Sequence, residues 1–102
     1  MNRDDAATAL AALGHPARLD VFRLLVRAGE AGVTVGEIAQ RLGLPASTLA
    51  HHLRALTGAS LVVQEKQGRE TLCRAGFDRM DGLVTYLTEE CCTGLPANHD
   101  AA

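Results

Sequence analysis

Hydrophobic positions along this chain recur at steps of three and four, and they predict five helices. From Asp4 to Leu13 an alanine-rich stretch carries Ala6, Leu10 and Leu13 on one side. Asp4 and Asp5 sit at its start, where the backbone dipole favours negative charge. Gly14 ends it, and His15-Pro16 opens a second helix, because the first helical turn accepts proline. Between Ala17 and Arg27, Leu19, Phe22, Leu24, Leu25 and Val26 form a buried face, with Arg18, Arg23 and Arg27 outside. Gly29 to Gly32 is a loop, and Thr34 caps the next helix, with Glu37 three residues on to complete a capping box. Val35, Ile38, Ala39 and Leu42 then form one apolar stripe. Gly43 supplies a residue that takes positive φ without strain, and Pro45 starts a fourth helix. There Leu49, Leu53 and Leu56 point inward, leaving Ser47, Thr48, His51 and Arg54 on other faces, and Gly58 is expected to close the helix in the left-handed conformation.

The period then changes. Leu61-Val62-Val63 leads into Gln64-Glu65-Lys66, Gln67-Gly68 signals a turn, and Glu70 to Arg74 alternates, which predicts a β-hairpin with its tip at Gln67 to Arg69. A two-stranded hairpin is marginal alone and must pack on the helices. Asp78 to Cys92 returns to helical spacing, with Phe77, Met80, Leu83, Val84, Leu87 and Cys91 on one stripe. Two helices joined by a short glycine-containing turn are the helix-turn-helix pattern, whose second helix enters the DNA major groove. A helical hairpin packed only for stability fits the same spacing. The hairpin that follows is expected to supply a wing, whose Lys66 and Arg69 can reach DNA backbone or minor groove.

Composition narrows this picture. The chain has 102 residues, enough for one domain, and is 47% hydrophobic but only 3% aromatic, so alanine and leucine fill its core. So short a chain buries a modest fraction of its surface, and a second copy would help it. The first and last helices, both with an apolar side to cover, are the natural two-fold interface. The net charge is −2, yet Arg41 to Arg74 holds five basic residues against two acidic ones, a local +3 that suits phosphate contacts. No secretory signal opens the sequence, no stretch is long enough to span a bilayer, and three cysteines suit a reducing cytoplasm. Residues 4–93 are expected to form the domain and 94–102 a flexible tail.

In this order of elements the chain resembles the winged helix-turn-helix repressors of the ArsR/SmtB family. ALGHPARLDVFRLL (12–25) looks like that family's opening, and STLAHHLRAL (47–56), GASLV (58–62) and GRETLCRA (68–75) look like its recognition-helix, post-helix and wing patterns. The resemblance implies a mainly α fold with a two-stranded β-hairpin, dimerising through the first and last helices. It also implies a repressor that leaves palindromic operator DNA when an inducer binds. Ala46, Ser47, Thr48, His51 and Arg54 become the expected DNA contacts, with Lys66 and Arg69 on the wing. Ala50 and His51 replace the Ser and Arg of many relatives, so base preference does not carry over. The family's Cys-x-Cys site is absent from Thr34 to Leu42. Its zinc site on the last helix is absent too, since Asp81 has no histidine between His52 and His99 to join it.

Cys91-Cys92 remains. YLTEECCTG resembles members in which such a pair binds trivalent arsenic or antimony, the inducers the resemblance implies; no organic cofactor is expected. Soft thiolates select soft ions, and zinc wants four ligands. Arsenic takes three sulfurs, so Cys73 is a candidate third ligand, in the same or the partner subunit. Otherwise an organic arsenical, an external thiol or linear mercury needs only two. A thiol-redox or reactive-sulfur sensor is the competing reading of the same fold. Adjacent Cα atoms lie about 3.8 Å apart, closer than a disulfide usually bridges, so a Cys91–Cys92 bond would be strained. Glu89, Glu90 and the negative helix end should raise both thiol pKa values. A protein-interaction module without DNA binding is the alternative of another class. An enzyme is not expected: there is no phosphate loop or hydrolase motif, and His51 and His52, adjacent on a helix, point apart.

Overall fold

The computed structural model describes residues 1–97. The last five residues of the expected tail, with His99, lie outside the described residues. Five helices form: α1 (Arg3–Leu13), α2 (Pro16–Ala28), α3 (Val35–Leu42), α4 (Ala46–Gly58) and α5 (Phe77–Thr88). Strands β1 (Val33–Thr34), β2 (Val62–Gln67) and β3 (Glu70–Ala75) make one antiparallel sheet in the order β1-β3-β2. A 3₁₀ turn at Gly29–Ala31 joins α2 to β1. The sheet therefore has one strand more than the expected hairpin. Val33 pairs with Cys73 and Thr34 with Leu72, so the outer face of β3 is paired rather than left as an edge.

Caps set the helix boundaries. The Asn2 side chain accepts from the Asp5 N–H at 2.7 Å to start α1. His15 starts α2 with its ring, Nδ1 accepting from the Ala17 N–H at 3.1 Å, and Pro16 follows in the first turn. Thr34 Oγ1 accepts from the Glu37 N–H at 3.2 Å, but the expected capping box is only half made. The Glu37 carboxylate turns forward instead, to accept from Arg41 Nε at 2.6 Å. Gly43 is left-handed, as the turn between α3 and α4 requires (φ 63°).

The end of α4 differs from expectation. Gly58 is still helical, and the left-handed residue is Ser60 (φ 62°). Ser60 N–H donates to the Thr57 carbonyl and Leu61 N–H to that of Leu56, both at 3.0 Å, the two bonds of a Schellman motif. Leu56 and Leu61, which that motif brings together, are both fully buried. Burying Leu61 at that position is what moves the left-handed residue past the glycine.

The core is built on Val21, Leu25, Ile38, Leu49, Leu56, Leu61 and Cys73. In α1 Ala6, Ala9 and Ala12 are buried and Leu13 is half-buried against the core, but Leu10 is 45% exposed, so the helix shows a mainly small face inward and one expected leucine lies outside. Alanine lets the helices approach closely, which leaves Leu10 outside. In α2, Val21 is buried and Leu19 is exposed, again displacing a leucine from the expected face. Among the described residues no helix is long and apolar enough to cross a membrane.

Candidate nucleic-acid interface and cysteine pair

Helix α4 buries Leu49, His52, Leu53 and Leu56. Ala46, Ser47, Thr48, His51 and Arg54 are all exposed, which places the five candidate contacts of this helix on its outward side. Gly68 turns the hairpin in a two-residue loop with Gln67 opposite Glu70, and its left-handed backbone (φ 62°) suits a glycine at the first loop position. Lys66 and Arg69, beside that loop, are exposed. Two of the five basic residues counted in this region are already paired. Arg41 is bonded to Glu37, and Arg74 to Glu65 at 2.7 Å and to the Glu30 carbonyl at 2.9 Å. Among the described residues Arg54, Lys66 and Arg69 make no ion pair, so their charge is available to phosphate. Thr34, Gly36, Arg69, Glu70 and Thr71 line a shallow groove between the start of α3 and the wing tip. The pairing of β1 with β3 brings these segments together, and hydrophobic spacing alone does not reveal it.

The last helix ends four residues before the expected boundary. Thr88 bonds its hydroxyl to the Val84 carbonyl at 2.8 Å, and Glu89 leaves helical geometry (φ −60°, ψ 144°). Glu90 and Cys92 are both left-handed, at φ 61° and 64°. The Cys91 N–H reaches back to the Thr88 carbonyl at 3.0 Å. Cys91 and Cys92 thus sit in turns beyond α5, both exposed, with their Sγ atoms 2.9 Å apart. Two thiols that would diverge on a regular helix here point the same way. The Cys91 thiol is pushed up, first by its hydrogen bond to Cys92 and then by desolvation, rather than by the expected Glu89 and Glu90. Cys73 is elsewhere. It is fully buried in β3 and receives a hydrogen bond from Gln64 Nε2 at 3.5 Å, and burial pushes its pKa up. Among the described residues no three His, Cys, Asp or Glu side chains gather as a metal site, so one chain does not bring Cys73 to the pair.

Two large apolar side chains lie open on the helix that leads to the cysteines. Val84 and Leu87 on α5 are each 57% exposed; on α1, which runs antiparallel to α5 with Asp5 beside Arg79, Leu10 is open as well, away from the cysteines. His52, next to the outward His51, faces the interior. Its ring is buried, Nδ1 accepts from Arg18 Nε at 3.3 Å, and the His15 ring lies 4.6 Å away, centre to centre.

A model of a helix-turn-helix domain family matches residues 13–65. The chain is similar to the transcriptional repressor PagR of Bacillus anthracis, 30% identical over 87 residues that span 85% of each protein. Among solved structures, an ArsR-like transcriptional regulator from Rhodococcus sp. RHA1 matches with a TM-score of 0.72 and 30% identity, covering 82% of this chain and 76% of that one. The homodimeric winged helix-turn-helix DNA-binding domain of Mb0332 from Mycobacterium bovis matches at 0.68 and 28%, covering 85% and 81%. A possible transcriptional regulator for arsenical resistance matches at 0.64 and 29%, covering 78% and 83%.

Proposed function

The chain belongs to the ArsR family of winged helix-turn-helix, DNA-binding transcriptional regulators, and within that family we propose a homodimeric repressor released from its operator by a thiophilic inducer at Cys91 and Cys92. The observation that carries this reading is a pair of exposed thiols 2.9 Å apart, just past the exposed Val84 and Leu87 of α5. Residues 4–93 form the DNA-binding unit. Two copies meet through α1 and α5, covering Leu10, Val84 and Leu87, and present two recognition helices to a palindrome with half-sites roughly 34–36 Å apart. Ala46, Ser47, Thr48, His51 and Arg54 face the major groove, and Lys66 and Arg69 hold phosphate.

Two thiolates cannot close a tetrahedral zinc shell, and they suit a soft trivalent ion. Trivalent arsenic or antimony is the inducer proposed. With Cys73 enclosed in the sheet, a carbon substituent on arsenic or an external thiol fills the third position. Inducer captured beside the interface shifts the two α5 helices and, with them, the spacing of the reading heads. A redox sensor is the weaker reading, because the raised Cys91 pKa keeps that thiol protonated and slow toward peroxide.

The test is release of labelled operator DNA by arsenite and by phenylarsine oxide. Cys91→Ser and Cys92→Ser should each raise the concentration for half-release by about tenfold or more, because chelation by two linked groups is lost, while Cys73→Ser should not change it. Release that persists in both variants removes the site. On the wing, Arg69→Ala should lower affinity for all sequences alike and reduce the salt slope by about one. An unchanged slope would take Arg69 off the phosphate backbone.

A further inference from the structure

Three imidazoles and a guanidinium meet where α2 supports the recognition helix. His15 caps α2 through Nδ1, accepting from the Ala17 N–H at 3.1 Å. His52, 5% exposed, accepts through its own Nδ1 from Arg18 Nε at 3.3 Å. The two rings lie 4.6 Å apart, and the His51 ring lies 5.8 Å from that of His52. Both Nδ1 atoms serve as acceptors of N–H bonds. A protonated imidazole has no acceptor left, so a proton on either ring turns a hydrogen bond into two opposed N–H groups.

No carboxylate compensates. The charges acting on His52 come from His15, Arg18 and His51, all cationic when charged. Of the other elements packed on α4, α1 buries only alanines, and its Asp5 is drawn to Arg79 at 3.7 Å. Glu37 and Arg41 of α3 pair with each other, while on β2 Glu65 pairs with Arg74 and Lys66 is exposed. Among the described residues the enclosed His52 thus has one hydrogen-bond partner, Arg18, and that bond crosses from α2 to α4.

We propose that the His15–Arg18–His52 cluster is a proton-sensitive joint that positions the recognition helix, so that a proton taken up by His52 unseats α4 from α2 and weakens DNA binding. The proposal rests on the DNA-binding role of α4. His15, Arg18 and His52 act here as positioning residues that touch no base. Burial first, and then the charges of His15, Arg18 and His51, hold the His52 pKa below the ordinary 6.5. The unseated ring therefore takes up a proton more readily than the seated one. The joint is fully stable above about pH 6.5 and weakens as pH falls below it toward the lowered value.

The experiment compares operator affinity of the full chain at pH 7.5 and 5.5, at constant ionic strength, with His52→Gln. The Gln amide oxygen still accepts from Arg18 but does not titrate. The wild type should lose several-fold in affinity over this range, and His52→Gln should lose much less. His51 is present in both proteins, so its contribution cancels. Equal pH dependence in the two overturns the proposal. A second readout needs no DNA: ring resonances of His52, followed by NMR, should titrate together with the backbone amides of α4. A ring that titrates at its ordinary value without moving those amides overturns the joint. If His52→Gln does not fold, His15→Asn keeps a side-chain cap and should shift the His52 titration upward, and no shift counts against the proposal. Failure to bind DNA at pH 7.5 would instead overturn the DNA-binding role, and the NMR titration would still decide the joint.

Discussion

A glutamate in place of Leu87 is expected to leave each chain folded and to lower operator affinity by about 10²–10⁴-fold. Leu87 is 57% exposed in the single chain, so the change opens no cavity and crowds no neighbour there. In a dimer joined through α1 and α5, the same position meets its symmetry mate, and two carboxylates are forced into an apolar contact. Burying an unpaired charge costs far more than such a contact returns. The chains separate, and the second half-site no longer binds as an intramolecular event, which is the source of the predicted loss. Sedimentation equilibrium should show a monomer and circular dichroism an unchanged helix content. A variant that stays dimeric with full affinity would place the two-fold interface elsewhere.

Gly76→Ala should destabilise the fold by about 3 kcal/mol, lowering the melting temperature by roughly 15 °C in a domain of this size. Gly76 lies between β3 and α5, and a Cβ there would collide with the backbone carbonyl oxygen of Ser60. Neither side can yield. Ser60 is pinned in the left-handed region by the Schellman bonds, and the Gly76 N–H donates to the Leu61 carbonyl at 2.8 Å. Relief must break one of these bonds or lift α5 away from the end of α4. Gly36, where an added Cβ meets nothing within 4 Å, is the matched control, and Gly36→Ala should be close to neutral. Urea unfolding of the two variants measures the difference. Equal midpoints would mean that the α4–β2 turn is softer than its hydrogen bonds indicate.

Where the chain repeats its apolar residues over several turns, the sequence was a reliable guide. All five helices and the wing stand where the change of period puts them, and α4 shows its polar residues outward because its leucines occupy one side. Legibility failed where packing, rather than hydrophobicity, decided the outcome. In α1, alanine outcompeted leucine for the interior because close approach needs small side chains. Leu10, Val84 and Leu87 are left exposed by the single chain, and the proposed two-fold interface would cover them. The two residues of β1 are too few to show any alternation, and only their partners on β3 make them a strand. After Thr88 no glycine or proline occurs until Gly94, so nothing in the local sequence announces that α5 has stopped. The adjacency of Cys91 and Cys92 was plain, but their convergence depends on left-handed backbone at Glu90 and Cys92, which neither residue type advertises. His52 and Arg18 are 34 positions apart, beyond the reach of any pattern confined to one helix.

Val33 and Thr34 are laced to the middle of β3, and the chain passes from them into α3 with no residue between. The wing and the helix pair are thereby riveted into one body, like two teeth cut from a single key. Neither tooth can swing without carrying the other. In the dimer proposed above, a signal arriving at the far end of the protein would act on how far apart, and at what tilt, two such keys are held above the lock.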